Sequence, residues 1–175
     1  MAIEMHSVTK GKRSELLMMA LLLEHGFSVF QALADIEGVD CGVVGRDNHF
    51  YPIQIKSRAK FTQGDLVEVR HFQGDMFIII YDVGTRNYWV IPADEYKSMS
   101  FPRPLGKGKV GYRLTWTKKN EKRLKSYEGE KGIEVLRSKV YHKSASLDTV
   151  GRHAFSLELG KSPSAEPAKQ FNSKW

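Results

Sequence analysis

The chain has 175 residues, of which 41% are apolar and 27% are charged. These values are ordinary for one soluble domain with a compact core, and we expect that domain to occupy residues 1–150. Lysine and arginine number 27 against 20 aspartates and glutamates, which gives a net charge of +7. This excess favours a polyanionic partner over a neutral one and therefore indicates nucleic acid.

The same composition excludes several classes of protein. The single cysteine, Cys41, excludes an intramolecular disulfide and any zinc site that needs a pair of cysteines. The longest apolar stretch, Leu16 to Leu23, is far shorter than the roughly 20 residues that span a bilayer, and no cleavable apolar leader precedes it. We therefore expect a soluble, cytoplasmic protein with no membrane partner.

The first predicted element is a helix from Val8 to His25, which Gly26 can end in a left-handed conformation. Its apolar residues surround nearly the whole circumference, so we expect the helix to be buried on several sides. A strand from Phe27 to about Leu33 should follow, and then a loop through residues 35–38.

Residues 40–56 predict a β-hairpin whose register follows from its side chains. If residues 46–48 form a three-residue loop, with Asn48 in the left-handed conformation, then Asp40 faces Gln54 across the two strands. An even-length loop would put these two residues on different faces. In the preferred register the alternating apolar residues share the opposite, core-facing side: Cys41, Val43, Tyr51, Ile53 and Ile55.

Four polar residues of this region form a candidate catalytic set. Gln54 and Lys56 share one face of their strand, because side chains alternate along a strand. Asp40 joins them through the register of the hairpin, and Glu15 lies near the first turns of the preceding helix. Metal-assisted phosphodiester hydrolysis needs oxygen ligands for the metal and profits from a nearby lysine. The set therefore predicts a nuclease active site.

The later part of the chain predicts further elements of an α/β domain. Residues 57–74 are interpreted as a short helix or an ordered loop, and residues 76–81 and 88–91 as neighbouring strands. A short helix should begin at Pro92 and end near Met99. Beyond it we expect a helix over 117–127, a second short element over 129–140 and a flexible tail over 151–175.

Residues 103–125 form a basic segment in which Glu121 is the one acidic residue. Tyr112 and Trp116 interleave with the basic residues, which would permit stacking as well as contacts with a nucleic-acid backbone. A solvated surface with core aromatics is the alternative interpretation. The residues predicted to bind nucleic acid are Lys107, Lys109, Arg113, Lys118, Lys119, Lys122 and Arg123.

Between about Val8 and Trp89, the helix, the hairpin and the strand that follows resemble the core of the PD-(D/E)xK nuclease superfamily. Gln54-Ile55-Lys56 stands at the position of the second acid and the lysine, so the chain resembles the branch with a QxK motif. The resemblance implies a restriction-endonuclease-like α/β fold, with a mixed central sheet flanked by helices. Similar layouts occur in Holliday-junction resolvases, restriction endonucleases and a group of small intron homing endonucleases.

The resemblance further implies a Mg²⁺-dependent DNA endonuclease in which Mn²⁺ can replace Mg²⁺. Asp40, Gln54 and Glu15 would be the metal ligands, because Mg²⁺ prefers hard oxygen ligands. Lys56 would orient the attacking water or stabilise the charge of the phosphate. Cutting both strands of a duplex requires two sites, so we expect a homo-oligomer, either a dimer or a tetramer.

Other functions stay open at this point. Gln54 brings one negative charge fewer than an acid would, which is compatible with weak metal binding or with an inactive DNA-binding protein of nuclease fold. A junction-resolving nuclease shares the chemistry of a site-specific homing or restriction enzyme. A structural or interaction protein would use the basic surface for solubility or assembly. The joint order and spacing of the four site residues favour a nuclease.

Overall fold

The computed structural model describes residues 6–46 and 48–142, with the backbone alone at Ser7, residues 33–36 and His142. Within these ranges the elements follow in the order α1 (Ser7–Glu24), β1 (Val29–Ile36), β2 (Val39–Val44), β3 (Phe50–Arg58), β4 (Leu66–Val69), β5 (Phe77–Asp82), β6 (Tyr88–Pro92), α2 (Ala93–Ser98), β7 (Phe101–Gly106), β8 (Lys109–Thr115), α3 (Lys118–Leu124) and α4 (Glu130–His142). The predicted tail, residues 151–175, lies outside the described residues.

The central sheet has the strand order β1-β2-β3-β5-β6. β3 and β5 run parallel, whereas the other neighbouring strands are antiparallel, so the sheet is mixed. β5 is buried along its whole length, which agrees with its continuous apolar sequence. The predicted class, an α/β domain with a mixed central sheet flanked by helices, is confirmed.

α1 and α4 cover one face of the central sheet and bury one of its two cores. The Tyr51 hydroxyl on β3 donates a hydrogen bond to the carbonyl oxygen of Lys139 on α4 at 2.9 Å, which satisfies the polar end of a buried aromatic side chain. This core contains all five side chains that the hairpin register assigned to it: Cys41, Val43, Tyr51, Ile53 and Ile55.

A second sheet, with the order β4-β8-β7, covers the other face of the central sheet. Val67 and Leu114 on this sheet belong to the same core as Ile78 and Ile80 of β5, together with residues of α2 and α3. The Tyr96 hydroxyl on α2 donates to the carbonyl oxygen of Val67 at 2.7 Å. The molecule therefore has three layers in its described part, and the candidate site lies where the two sheets meet.

The second sheet corrects the sequence interpretation. Residues 57–74 do not form a helix: β3 continues to Arg58, and β4 begins at Leu66. β4 has four residues, and its partner is the distant strand β8, so local periodicity gives little signal for it. β7 was also missed because Pro102 and Pro104 argue against a central strand, although an edge strand tolerates them.

α1 ends close to the predicted residue, with Gly26 at a φ of 80°, but its burial differs from the prediction. Met18, Met19 and Leu22 are buried against the sheet. Leu16 is 51% exposed and Leu23 is 58% exposed. The expectation of burial on several sides is therefore wrong within the described residues, because only one side of the helix meets the sheet.

The remaining helices lie close to their predicted positions. Pro92 directly precedes α2, and Thr117 caps α3 by accepting a hydrogen bond from the amide of Asn120 at 3.2 Å. No helix in the described ranges combines the length and the apolar character needed to cross a bilayer.

Candidate active site

The β2–β3 hairpin brings the candidate site together. Its cross-strand pairs follow the predicted register. The Gly45 amide donates to the carbonyl oxygen of His49 at 2.9 Å, so Gly45 faces His49 as predicted. The predicted register is thus confirmed from Val44–Phe50 to Cys41–Ile53, and Asp40 and Gln54 are the next residues along the two strands.

Asp40, Gln54 and Lys56 line one cleft with a volume of about 550 Å³. Sequence analysis did not assign the remaining lining residues to the site. They come from the β1–β2 turn, from β4 and from the residues directly after β4: Glu37, Gly38, Glu68, Arg70 and His71. The cleft therefore has one wall from the central hairpin and another from the second sheet.

Asp40 is held in position by the backbone of the adjacent strand. Its Oδ2 atom accepts a hydrogen bond from the amide of Ile55 at 2.6 Å. A hydrogen bond from a backbone amide to a carboxylate is charge-assisted and stronger than one between neutral groups. Asp40 is therefore anchored to β3 beside Gln54 and Lys56.

Gln54 differs in its hydrogen bonding from the other buried polar residues in the described part of the chain. The residue is only 5% exposed, and its Oε1 atom is the one buried side-chain nitrogen or oxygen there that has no hydrogen-bond partner. An unsatisfied buried polar group costs about 1–3 kcal/mol. An oxygen with this environment is suited to accept a ligand that satisfies it, such as a cation or a proton donor.

Gly38 in the β1–β2 turn lies directly against the Gln54 amide. β1 extends to Ile36, so the predicted loop over 35–38 shrinks to Glu37 and Gly38, with φ values of 54° and 78°. A Cβ atom on Gly38 would lie 2.4 Å from Gln54 Nε2, too close for any side chain. Glycine is thus required here both for the turn and for the approach of the amide.

Glu15 lies on α1 and is not among the residues that line the cleft. Its Oε2 atom forms an ion pair with Lys12 Nζ at 2.7 Å. Burial, together with the negative charges of Asp40 and Glu15, raises the pKa of the Cys41 thiol to about 12. Both carboxylates therefore lie near Cys41, and the hydrogen bond to Glu15 together with the charge of Asp40 also raises the pKa of Lys12.

The donor set fits Mg²⁺ only when the Gln54 oxygen is part of it. In the described ranges, no group of three histidine, cysteine, aspartate or glutamate side chains is placed to hold a metal ion. Mg²⁺ can be held by one or two carboxylates when water and phosphate oxygens complete its shell. Asp40 and the unpartnered oxygen of Gln54 offer such a pair of ligands, with Glu15 close by.

The predicted nucleic-acid-binding residues are distributed over the β7–β8 turn, β8 and α3. Arg113 lies on β8 and bonds Glu68, whereas the guanidinium of Arg123 on α3 donates to Ser98 Oγ on α2 at 2.7 Å. Arg123 therefore joins two helices. The other predicted residues are exposed, at the β7–β8 turn or on α3: Lys107, Lys109, Lys118, Lys119 and Lys122.

The layered α/β fold has a counterpart among solved structures. The chain is similar to a bacterial homing endonuclease, I-Ssp6803I, with a TM-score of 0.54 and 18% sequence identity. The match covers 77% of this chain and 96% of that chain. At this identity the likeness establishes a common fold. No protein-family model and no curated protein matches the sequence.

Proposed function

We propose that the protein is a metal-dependent DNA endonuclease of the QxK branch of the PD-(D/E)xK superfamily. The observation that carries the proposal is the Gln54 Oε1 atom, which is buried without a hydrogen-bond partner on a residue that lines the cleft beside Asp40 and Lys56. Natural proteins rarely leave such a group unsatisfied, and the exceptions call for a ligand or a catalytic role. The fold shared with a homing endonuclease supports the same chemistry.

Each residue of the candidate set would have a separate role. When bound, Mg²⁺ or Mn²⁺ supplies positive charge to the scissile phosphate. Asp40 and Gln54 would hold the ion, and Glu15 would add the negative charge that Gln54 lacks. Lys56 would orient the attacking water and stabilise the negative charge that develops on the phosphate.

The proposed substrate is duplex DNA that is cut at a specific site, and the proposed enzyme is a homodimer or tetramer. The description of the structural neighbour as a homing endonuclease supports site-specific cleavage. Paired cuts in a duplex require two active sites. The exposed apolar side chains of Leu16 and Leu23 on α1 support contact with a further copy of the chain. A junction-resolving nuclease is the alternative within the same chemistry.

A plasmid-nicking assay with and without Mg²⁺ tests this proposal. The test variants are Asp40→Ala and Lys56→Ala, and their controls are Asp94→Ala and Lys60→Ala, which remove the same charges from exposed positions. We expect Mg²⁺-dependent nicking by the native sequence and by both controls. Both test variants should lose nicking while their affinity for DNA changes little.

The outcomes separate the competing functions. DNA binding without cleavage under any divalent cation would assign the protein to inactive DNA-binding proteins of nuclease fold. Absence of salt-sensitive DNA binding would assign it to structural or interaction proteins. Where nicking occurs, cleavage mapping on duplex, four-way junction and random-sequence DNA distinguishes site-specific cutting from junction resolution.

A further inference from the structure

Three arginines surround one glutamate on the second sheet, and we call Glu68, Arg70, Arg103 and Arg113 the arginine cluster. Arg70 Nε donates to Glu68 Oε1 at 2.9 Å, and Arg113 Nη2 donates to Glu68 Oε2 at 2.9 Å. Arg103 Nη1 donates to the same Oε2 atom. The cluster thus connects β4, β7 and β8 through one carboxylate.

The arginine cluster lies on the face of the second sheet that is turned away from the core. Glu68 pairs with Arg113 across β4 and β8, so their side chains share a face. The neighbouring pair, Val67 and Leu114, is buried in the core on the other face. The side chains of Arg70, Arg103 and Arg113 are 67%, 47% and 34% exposed.

The charge of the arginine cluster is not balanced. Hydrogen bonds from Arg113 and Arg70, with a further contribution from Arg103, lower the pKa of Glu68 to about 2, so Glu68 is negative at neutral pH. Three guanidinium groups against one carboxylate leave two positive charges. Each guanidinium has five N–H donors, whereas a carboxylate has two oxygens, so most of the donors cannot be used by Glu68.

The arginine cluster borders the candidate active site. Glu68 and Arg70 line the same cleft as Asp40, Gln54 and Lys56. The donors of Arg70 therefore border the place where the scissile phosphate would lie, and Arg103 and Arg113 are held beside it through their bonds to Glu68. Planar guanidinium groups bind phosphate oxygens through paired hydrogen bonds, and a fixed orientation reduces the entropy lost in forming them.

We infer that the arginine cluster binds phosphate groups of the DNA backbone next to the scissile phosphate, and that Glu68 is a positioning residue that holds the three guanidinium groups. This inference rests on the proposed function for the choice of DNA as the polyanion. It moves the main DNA contact from the exposed lysines of α3 to the wall of the cleft that faces the catalytic hairpin.

The test is the salt dependence of DNA binding, measured by fluorescence anisotropy with a random-sequence duplex and without divalent cations. The double variant Arg103→Ala/Arg113→Ala leaves Glu68 paired with Arg70. The control, Lys131→Ala/Lys139→Ala, removes the same charge from exposed positions on α4. Losing each phosphate contact should reduce the slope of log K against log salt by about 0.9.

We expect the arginine variant to bind at least tenfold more weakly, with a smaller slope, while the lysine control stays close to the native sequence. Equal losses in both variants, or none in the arginine variant, would overturn the inference. Thermal unfolding checks the fold of each protein. Should the alanine variant unfold, Arg103→Lys/Arg113→Lys tests the paired hydrogen bonds instead: it keeps the charges and therefore the slope, and it should still bind more weakly because the planar donors are lost. Unchanged affinity in this variant would overturn the inference.

Glu68→Gln tests the positioning role separately. The substitution raises the net charge by one, so a residue that only balances charge would restrain DNA binding, and its removal would tighten binding. We expect weaker binding, because glutamine offers the three guanidinium groups one uncharged acceptor oxygen in place of two charged ones. Tighter binding would overturn the positioning role.

Nicking by the same variants separates this inference from the proposed function. If the native sequence binds DNA through the arginine cluster but never cuts it, the inference holds and the nuclease proposal fails. If it cuts DNA and the arginine variant keeps its affinity and slope, the inference alone fails. If it does not bind DNA, both fail.

Discussion

The two walls of the cleft differ in which hydrogen-bonding partner is in excess. The hairpin wall offers acceptors, including the Asp40 carboxylate and the Gln54 oxygen that lacks a partner. On the opposite wall, which Glu68 and Arg70 line, the arginine cluster offers more donors than the carboxylate of Glu68 can accept. A surplus of acceptors suits a cation, and a surplus of donors suits an anion.

Metal-assisted cleavage of a phosphodiester bond brings together a cation, which is the metal ion, and an anion, which is the phosphate. The contrast between the walls therefore supports a division of labour, with chemistry on the hairpin wall and binding on the arginine wall. If this division is correct, variants of the hairpin wall should change cleavage more than affinity. Variants of the arginine wall should change affinity first.

The largest expected effect is that of Asp40→Asn on cleavage. The amide oxygen of asparagine can still accept the hydrogen bond from the Ile55 amide, so the fold should lose only about 1 kcal/mol. Cleavage should fall by about 100–1000-fold, because charge stabilisation at the phosphate is lost. Single-turnover kinetics and urea unfolding measure the two quantities. Full activity in this variant would remove Asp40 from the site.

Gln54→Met should separate function from stability. Methionine replaces the unsatisfied amide by an apolar group of similar size, so the free energy of unfolding without metal should rise by about 1–2 kcal/mol. Nicking should be lost. Gln63→Met, in the exposed loop before β4, is the control and should change neither quantity. A Gln54→Met variant that is less stable and still cuts DNA would contradict the assigned role of the amide.

Gly38→Ala tests the contact between Gly38 and the Gln54 amide, and Gly26→Ala is its matched control. Both glycines have a positive φ, of 78° and 80°, so both variants should lose about 1 kcal/mol from backbone strain. Only at Gly38 would the new methyl group collide with the Gln54 amide, since nothing lies within 4 Å at Gly26. Gly38→Ala should therefore lose more stability in urea unfolding, and it alone should reduce nicking.

The smallest expected effect is the pH dependence of the stability that the arginine cluster contributes. The pKa of Glu68 lies at about 2 in the folded protein, below its ordinary value of 4.5. A lowered pKa stabilises the fold above the ordinary value, and this contribution disappears as the pH falls toward the folded value. The difference in thermal stability between the native sequence and Glu68→Gln should therefore shrink between pH 4.5 and pH 2. A constant difference would show that the ion pairs do not stabilise the fold.

The hairpin wall was predictable because its information is local. Alternating side chains and the predicted loop define the register of the hairpin, and the observed pairs from Val44–Phe50 to Cys41–Ile53 agree with the prediction. The role of Gly38 was not predictable, because it depends on the distance between a turn and a side chain of another strand. The sequence signals a turn there but not the contact.

The arginine cluster could not be predicted, because its residues belong to strands that are distant in the sequence. Leu66 pairs with Thr115, and neither strand has a strong periodic pattern. The basic segment lies in the β7–β8 hairpin and in the helix α3 that follows it. Arg113 consequently joins the cleft wall through Glu68, whereas Arg123 joins α3 to α2.

The parallel pairing of β3 and β5 has a consequence for how the molecule folds. The chain must cross over between these strands, and it places β4 within the crossover, residues 59–76. β4 can pair only with β8, which lies later in the sequence. Because closing long loops slows folding, the hairpin can form early while the arginine wall is completed late. A growing chain would thus form the proposed metal site before it completes the proposed phosphate-binding surface.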